Sequence, residues 1–212
     1  MAELFSADEL DLFGEVVNVA MGQAGAALAE AYAGFVQLQV PQIGIFEATA
    51  IVQRRGELLH QYASDATVSA VRQEFFGELA GEVLLVLGAP SFPVLGEMLG
   101  FDDRVGNDGS GRKQREELLL DLDNALASTC ILAIGRQLGL LTGLQPPRLL
   151  ALEATAADAD ERLCEAQPAE AGSTLLIEMV FRLKDQATPF GLVIAIAPAA
   201  LPGIHDALAK RL

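Results

Sequence analysis

Asp11, Glu15 and Asn18 stand at i, i+4 and i+7, and Pro41 follows Asn18 by twenty-three residues. Glu117, Asp121, Asn124 and Pro147 repeat those spacings 106 residues later. Residues so spaced share one face of a helix, so each copy sets two carboxylates and an amide in a row. Asn is a weak helix former, and core packing does not ask for one midway along two helices. A single copy reads most simply as a solvated helix face. Two copies in register point to an inherited polar site. A carboxylate can hold a cation through a charge-assisted hydrogen bond, and an amide can accept and donate at once and so orient a water. Neither is a strong nucleophile here. Such a set would complete an active site whose reactive group and metal lie on a second protein.

The remaining inventory narrows the chemistry. His60 and His205 are the two histidines, far apart and without neighbouring motifs, which gives no support to a His-dependent triad or a multi-His metal site. No P-loop is present and no G-x-G-x-x-G joins a strand to a helix. Gly109-Ser110-Gly111 reads as linker, because no strand leads into it as a nucleophile elbow requires. Paired carboxylates on a solvent-facing helix lack the cleft that raises a carboxyl pKa for glycoside hydrolysis. With a net charge of −15 and a pI near 4.4, the chain lacks the basic stripe that nucleic acid or an anionic membrane needs. A protein partner with a basic rim fits better. Cys130 and Cys164 have no metal or disulfide spacing and read as reduced thiols. The start of the chain has no basic or apolar signal region, and the longest apolar stretch, 190–201, is broken by Pro198. Cytoplasmic location is the expectation.

The elements that would position these residues follow from periodicity. Ser6 and Glu9 form a capping box that opens a long helix near residue 7, and Gly34 closes it. Leu10, Phe13, Val17, Ala20, Ala24, Ala27, Leu28 and Ala31 make its buried stripe. The face of Asp11, Glu15 and Asn18 runs on into Gly22, Gly25, Ala26 and Ala29, bare enough for another protein's backbone to approach. Strands are expected at 36–40, 43–52 and 58–63, with a turn at Arg55-Gly56. A hairpin follows over 67–76 and 80–87, then a short helix over 90–99 and a linker over 101–112. The second half repeats the order: a helix over 113–140, a strand over 149–155, an acidic loop over 156–172, a hairpin over 173–183 and 190–197, and a closing helix over 198–212. Leu119, Leu126, Cys130, Ala133 and Ile134 form the apolar side of its long helix. Asp123 falls on that same arc, where the first half has Val17; either that turn is exposed or the arc is drawn too wide. The expected fold is α+β: one pseudo-two-fold domain over 1–212, repeats of about 1–100 and 113–212, and an antiparallel sheet from both halves covered by two long and two short helices.

The pattern (Asp or Ser)-x3-Glu-x2-Asn-x22-Pro resembles the signature of the CheC, CheX and FliY phosphatases of bacterial chemotaxis. Asp11, Glu15, Asn18 and Pro41 fit it at every position. The two copies, the length and the pseudo-repeat are most similar to CheC, and the resemblance covers nearly the whole chain. It implies hydrolysis of the aspartyl phosphate of CheY, with Mg²⁺ supplied by that regulator and no cofactor or metal of the chain's own. Asn18 would position the attacking water, Glu15 would engage the regulator's Lys, and Asp11 and Pro41 would shape the docking surface. Asn124 and Asp121 would do the same in the second copy, beside Glu117 and Pro147. That copy departs from the pattern: Asp121 is one methylene short of Glu, and Glu117 replaces Asp or Ser. A displacement of about 1 Å can cost on the order of a hundredfold in rate, so the first site is expected to be the more active.

The resemblance also brings in CheD, a deamidase that binds some CheC proteins, although no local motif here marks its docking. The alternative reading is a binding module for response regulators or the flagellar switch, without catalysis. Switch relatives share the fold and lack the Glu and Asn, and the intact first copy speaks against that reading. A plain duplicated scaffold ranks last. The acidic segment 158–170 reads as a solvated loop or a docking surface.

Overall fold

The computed structural model describes residues 4–31, 36–63, 67–93, 95, 109–166, 172–183 and 189–212. Helix α1 (Ala7–Ala31) opens on the expected capping box: the Ser6 N–H and hydroxyl donate to Glu9 Oε2 at 2.7 and 2.8 Å, and the Glu9 N–H returns a bond to Ser6 Oγ at 3.3 Å. These bonds hold the Glu9 carboxyl below the usual range. Strands β1 (Val36–Leu38) and β2 (Gln42–Glu47), helix α2 (Ala48–Ala63) and the hairpin β3 (Val68–Gly77) and β4 (Gly81–Gly88) complete the first half. The second half runs through α3 (Gly109–Leu138), β5 (Thr142–Leu144), β6 (Arg148–Ala154), α4 (Ala156–Ala166), β7 (Ser173–Leu183), β8 (Phe190–Ile196) and α5 (Leu201–Ala209).

All the described strands pair antiparallel in one sheet of order β1-β7-β8-β4-β3-β5, with β2 also on β7 and β6 also on β3. The duplication is visible in the register. Val36 pairs with Leu183 and Thr142 with Gly77; Ile43 pairs with Ile177 and Leu149 with Val71. Each second pair is the first displaced by 106 residues with the halves exchanged. The hairpins meet at β4 and β8, and each half's leading strands cross to the other half's hairpin.

The sheet buries both faces. Val83, Leu85 and Leu87 of β4 and Leu192, Ile194 and Ile196 of β8 join the core under α1, α3 and α5. Leu84, Val86, Val193 and Ala195 point the other way, into a second core under α2 and α4. The fold is therefore α+β and pseudo-two-fold, as expected, with a helical layer on each side.

Two helices replace expected non-helical segments. Residues 48–63 do not form a strand, a turn and a second strand. Ile51, Arg55, Leu58, Leu59 and Tyr62 are buried at helical spacing, and the β-branched run that suggested a strand covers only one turn. Gly56 lies within the helix and not in a turn, facing the Asp160 side chain of α4. Residues 156–166 are likewise helical, with Ala156, Ala159 and Leu163 facing α2 and the Thr155 hydroxyl capping the Asp158 N–H at 3.1 Å. The expected acidic loop is thus mostly helix, and 167–171 lies outside the described residues. Strand β5 was not anticipated. Helix α3 begins at Gly109, so Gly109-Ser110-Gly111 belongs to its first turn and not to a linker; residues 101–108 lie outside the described set, as do 94 and 96–99 of the expected helix over 90–99.

Both long helices are long and apolar enough to cross a membrane by length and composition, yet they pack together on the sheet. Gln137 of α3 donates to the Val16 carbonyl of α1 at 3.2 Å. Cys130 lies in that core, 3.7 Å from Met179 Sδ, and burial pushes its thiol up to about 12. Asp123 is 0 % exposed, so the arc was drawn correctly and a carboxyl group sits inside it.

Candidate functional site

Along α1, Phe13, Val16, Val17, Ala20 and Met21 are buried, which turns Asp11, Glu15 and Asn18 outward. The same geometry on α3 buries Leu118, Leu119, Leu122 and Leu126 and exposes Glu117, Asp121 and Asn124. All six polar residues stand in solvent on rigid helices. Lys113 lies 3.6 Å from Glu117 one turn away, an exposed pair of small energetic weight.

The prolines are brought to the helices by the strands. Gln39, after β1, donates its N–H to the Val180 carbonyl at 3.1 Å; Gln145, after β5, donates to Glu74 at 2.8 Å. These bonds pin the short segments that carry Pro41 and Pro147 against the opposite half's hairpin strand. A Cβ on Gly14 would lie 3.9 Å from Ile43, and one on Gly25 would lie 2.8 Å from Leu38. The length of α1 that holds Glu15 and Asn18 therefore runs beside the segment that holds Pro41. Gly25 is covered by the chain's own Leu38, so the small-residue stripe is partly closed to a visitor; Gly22 remains open.

In the second copy three of the four residues converge. Asp121, Asn124 and Pro147 line one pocket of ≈ 430 Å³ together with Gln73, Leu120, Leu144, Gln145 and Pro146. Glu117 is not among its lining residues. The offset of 106 carries this wall onto Glu15, Asn18, Pro41, Gly14, Leu38, Gln39, Val40 and Met179 in the first copy. There Gly14 replaces the bulk of Leu120. Val19 and Val40, 49 % and 79 % exposed, flank Asn18 and Pro41 with apolar surface, where the second copy has Ala125 and Pro146.

Spacing along the helices does not reveal the residues that the neighbouring strands contribute, above all Gln73. One sequence signal was available: Gln39 and Gln145 both stand two residues before the proline of their copy. Gln73 had none, because the first half supplies it to the second half's site. Its Nε2 donates to the Gln145 carbonyl at 2.7 Å and to Asn124 Oδ1 at 3.2 Å. Neither histidine is near these residues: His60 ends α2, and His205 sits 3.3 Å from Glu9 and against Phe5. Among the described residues no three acidic, His or Cys side chains gather as a metal site.

No protein-family model matches the sequence, and none of the curated proteins matches it. Solved structures share its fold. Thermotoga maritima FliY superposes over 100 % of both chains with a TM-score of 0.68 at 17 % identity. A chain of the FliM–SpeE complex from H. pylori matches with a TM-score of 0.61 at 10 % identity, over 98 % of this chain and 97 % of that one. The CheX–CheY–BeF3–Mg²⁺ complex from Borrelia burgdorferi matches with a TM-score of 0.53 at 14 % identity, over 86 % and 96 %. The chain thus has the fold common to FliY, CheX and the FliM middle domain, and these likenesses do not single out CheC among them.

Proposed function

We propose that the chain hydrolyses the aspartyl phosphate of a CheY-type response regulator, acting from α1 through Glu15 and Asn18. The observation that carries this reading is their placement: outward, one turn apart on a rigid helix, alongside Pro41 and rimmed by exposed Val19 and Val40. An exposed amide on a helix backed by a core can enter another protein's pocket without reorganising, which is what positioning catalysis needs.

In the reaction a water oxygen attacks phosphorus in line. The bond from phosphorus to the regulator's aspartyl oxygen breaks, its electron pair stays on that carboxylate, and inorganic phosphate leaves with the water oxygen. Asn18 would accept from that water and fix its approach. Glu15 would take the regulator's Lys in a charge-assisted hydrogen bond, and Asp11 and Pro41 would border the contact. Charge on the transferring oxygens would be met by Mg²⁺ held by the regulator, and this chain would bring no cofactor. The negative charge of −15 suits a partner with a basic rim. The setting would be the cytoplasm, with CheD a candidate second partner.

The test is turnover. A substoichiometric amount of protein should accelerate loss of phosphate from a phosphorylated regulator, and Asn18→Ala should cost about a hundredfold. Asn124→Ala should cost far less. Equal losses would sink the asymmetry, and no acceleration at stoichiometric protein would sink the phosphatase reading. A second reading, a non-catalytic module for response regulators or the flagellar switch, has the likeness to FliM behind it. It predicts binding of the regulator with no change in its dephosphorylation rate.

A further inference from the structure

We propose that Gln73 is a positioning residue that turns the second site into a donor site, able to hold a phosphoryl group but poor at activating water. The inference rests on the phosphatase reading for its consequence and on hydrogen-bond logic for its geometry. Gln73 is 1 % exposed, and the nitrogen end of its amide lies 2.7 Å from the Gln145 carbonyl oxygen. A backbone carbonyl can only accept, so the amide atom facing it must be the N–H₂ group. The same nitrogen lies 3.2 Å from the Asn124 side chain, and with both of its protons so directed the Asn124 atom must be an acceptor, Oδ1. This orientation leaves Gln73 Oε1 buried without a partner among the described residues.

The Asn124 amide is thereby fixed end for end. Its Oδ1 accepts from the buried Gln73, which takes one of that oxygen's two lone pairs and holds the oxygen toward the strand, while its Nδ2 has no partner among the described residues at the pocket that Asp121 and Pro147 also line. An N–H₂ group donates to phosphoryl oxygens. Water positioning instead wants an amide oxygen free to accept a hydrogen bond from the water. In the first copy the offset of 106 puts Met179, buried and without a donor, in the place of Gln73, and among the described residues no side chain ties the Asn18 amide. The two sites would then divide the work: the first hydrolyses, and the second grips the phosphorylated regulator.

Two measurements test this. Solvent exchange of side-chain amides by NMR should find the Gln73 N–H₂ protected and the Asn124 N–H₂ exchanging freely. The reverse pattern overturns the proposal whatever the activity. In an Asn18→Ala background, which leaves only the second site, Gln73→Met should raise kcat about tenfold with KM little changed, the equivalent of one hydrogen bond released. The gain should vanish in Asn18→Ala/Gln73→Met/Asn124→Ala. An unchanged or lower kcat in Gln73→Met, and also in Gln73→Leu, with native circular dichroism, overturns it. Absence of hydrolysis by the unaltered protein would defeat the phosphatase reading, and the exchange measurement would still judge Gln73.

Discussion

Asp123→Val should stabilise the protein by about 2 kcal/mol at neutral pH. Asp123 is 0 % exposed on the side of α3 that packs into the core, and neither carboxyl oxygen has a hydrogen-bond partner among the described residues. Burial alone pushes its pKa well above the usual carboxylate range. An unpaired polar group in such a place costs about 1–3 kcal/mol. Val is what the first repeat carries at the matching position, Val17, also fully buried. The raised pKa fixes the sign of the pH effect. Between the unfolded carboxyl's pKa, about 3.9, and its higher folded value, the folded state binds more protons than the unfolded state, so stability falls as pH rises. The advantage of Val should therefore grow as pH climbs from about 4. Urea unfolding at pH 4 and pH 7.5 reads this directly, and in a chain of this size the neutral-pH gain corresponds to about 4–8 °C in Tm. Asp123→Asn should remove the pH dependence while keeping an unsatisfied amide, and so gain less. A Val variant no more stable than its parent at pH 7.5, with an unchanged m-value, would refute the reasoning. So would a gain that is the same at both pH values.

Three further outcomes are expected. Glu82, 4 % exposed, takes Arg55 on one carboxyl oxygen and Arg72 on the other, the latter at 2.6 Å; Glu82→Ala strands the largely buried Arg55 guanidinium, leaves Arg72 with Glu74 at 2.9 Å, and should cost about 3–5 kcal/mol by denaturant unfolding. Gly77 ends β3 at a φ of 120°, and a Cβ there would lie 2.6 Å from the Leu141 carbonyl oxygen, so Gly77→Ala should lower stability by about 1–3 kcal/mol, read by thermal melting. Cys130 is buried with its thiol pushed up to about 12, whereas Cys164 is exposed on α4; a thiol reagent at pH 8 should modify one cysteine in the native protein and two in denaturant.

The sequence by itself determined the two long helices, their outward rows of Asp11, Glu15 and Asn18 and of Glu117, Asp121 and Asn124, both hairpins and the duplicated plan. These follow from local periodicity and caps, which act within a few residues of chain. Helices α2 and α4 were harder to see, because their short apolar stripes show helical spacing only when the second sheet face is known to need cover. Thr155 with Asp158 was a readable cap that pointed that way. Tertiary structure alone decided the make-up of the sites. Since β2 crosses to β7 and β6 to β3, each proline segment is held by the other half's hairpin, and Gln73 meets Asn124 across 51 residues of chain. Strand pairing of that kind is set by how two hydrophobic hairpins share one sheet, a long-range choice that no local spacing encodes.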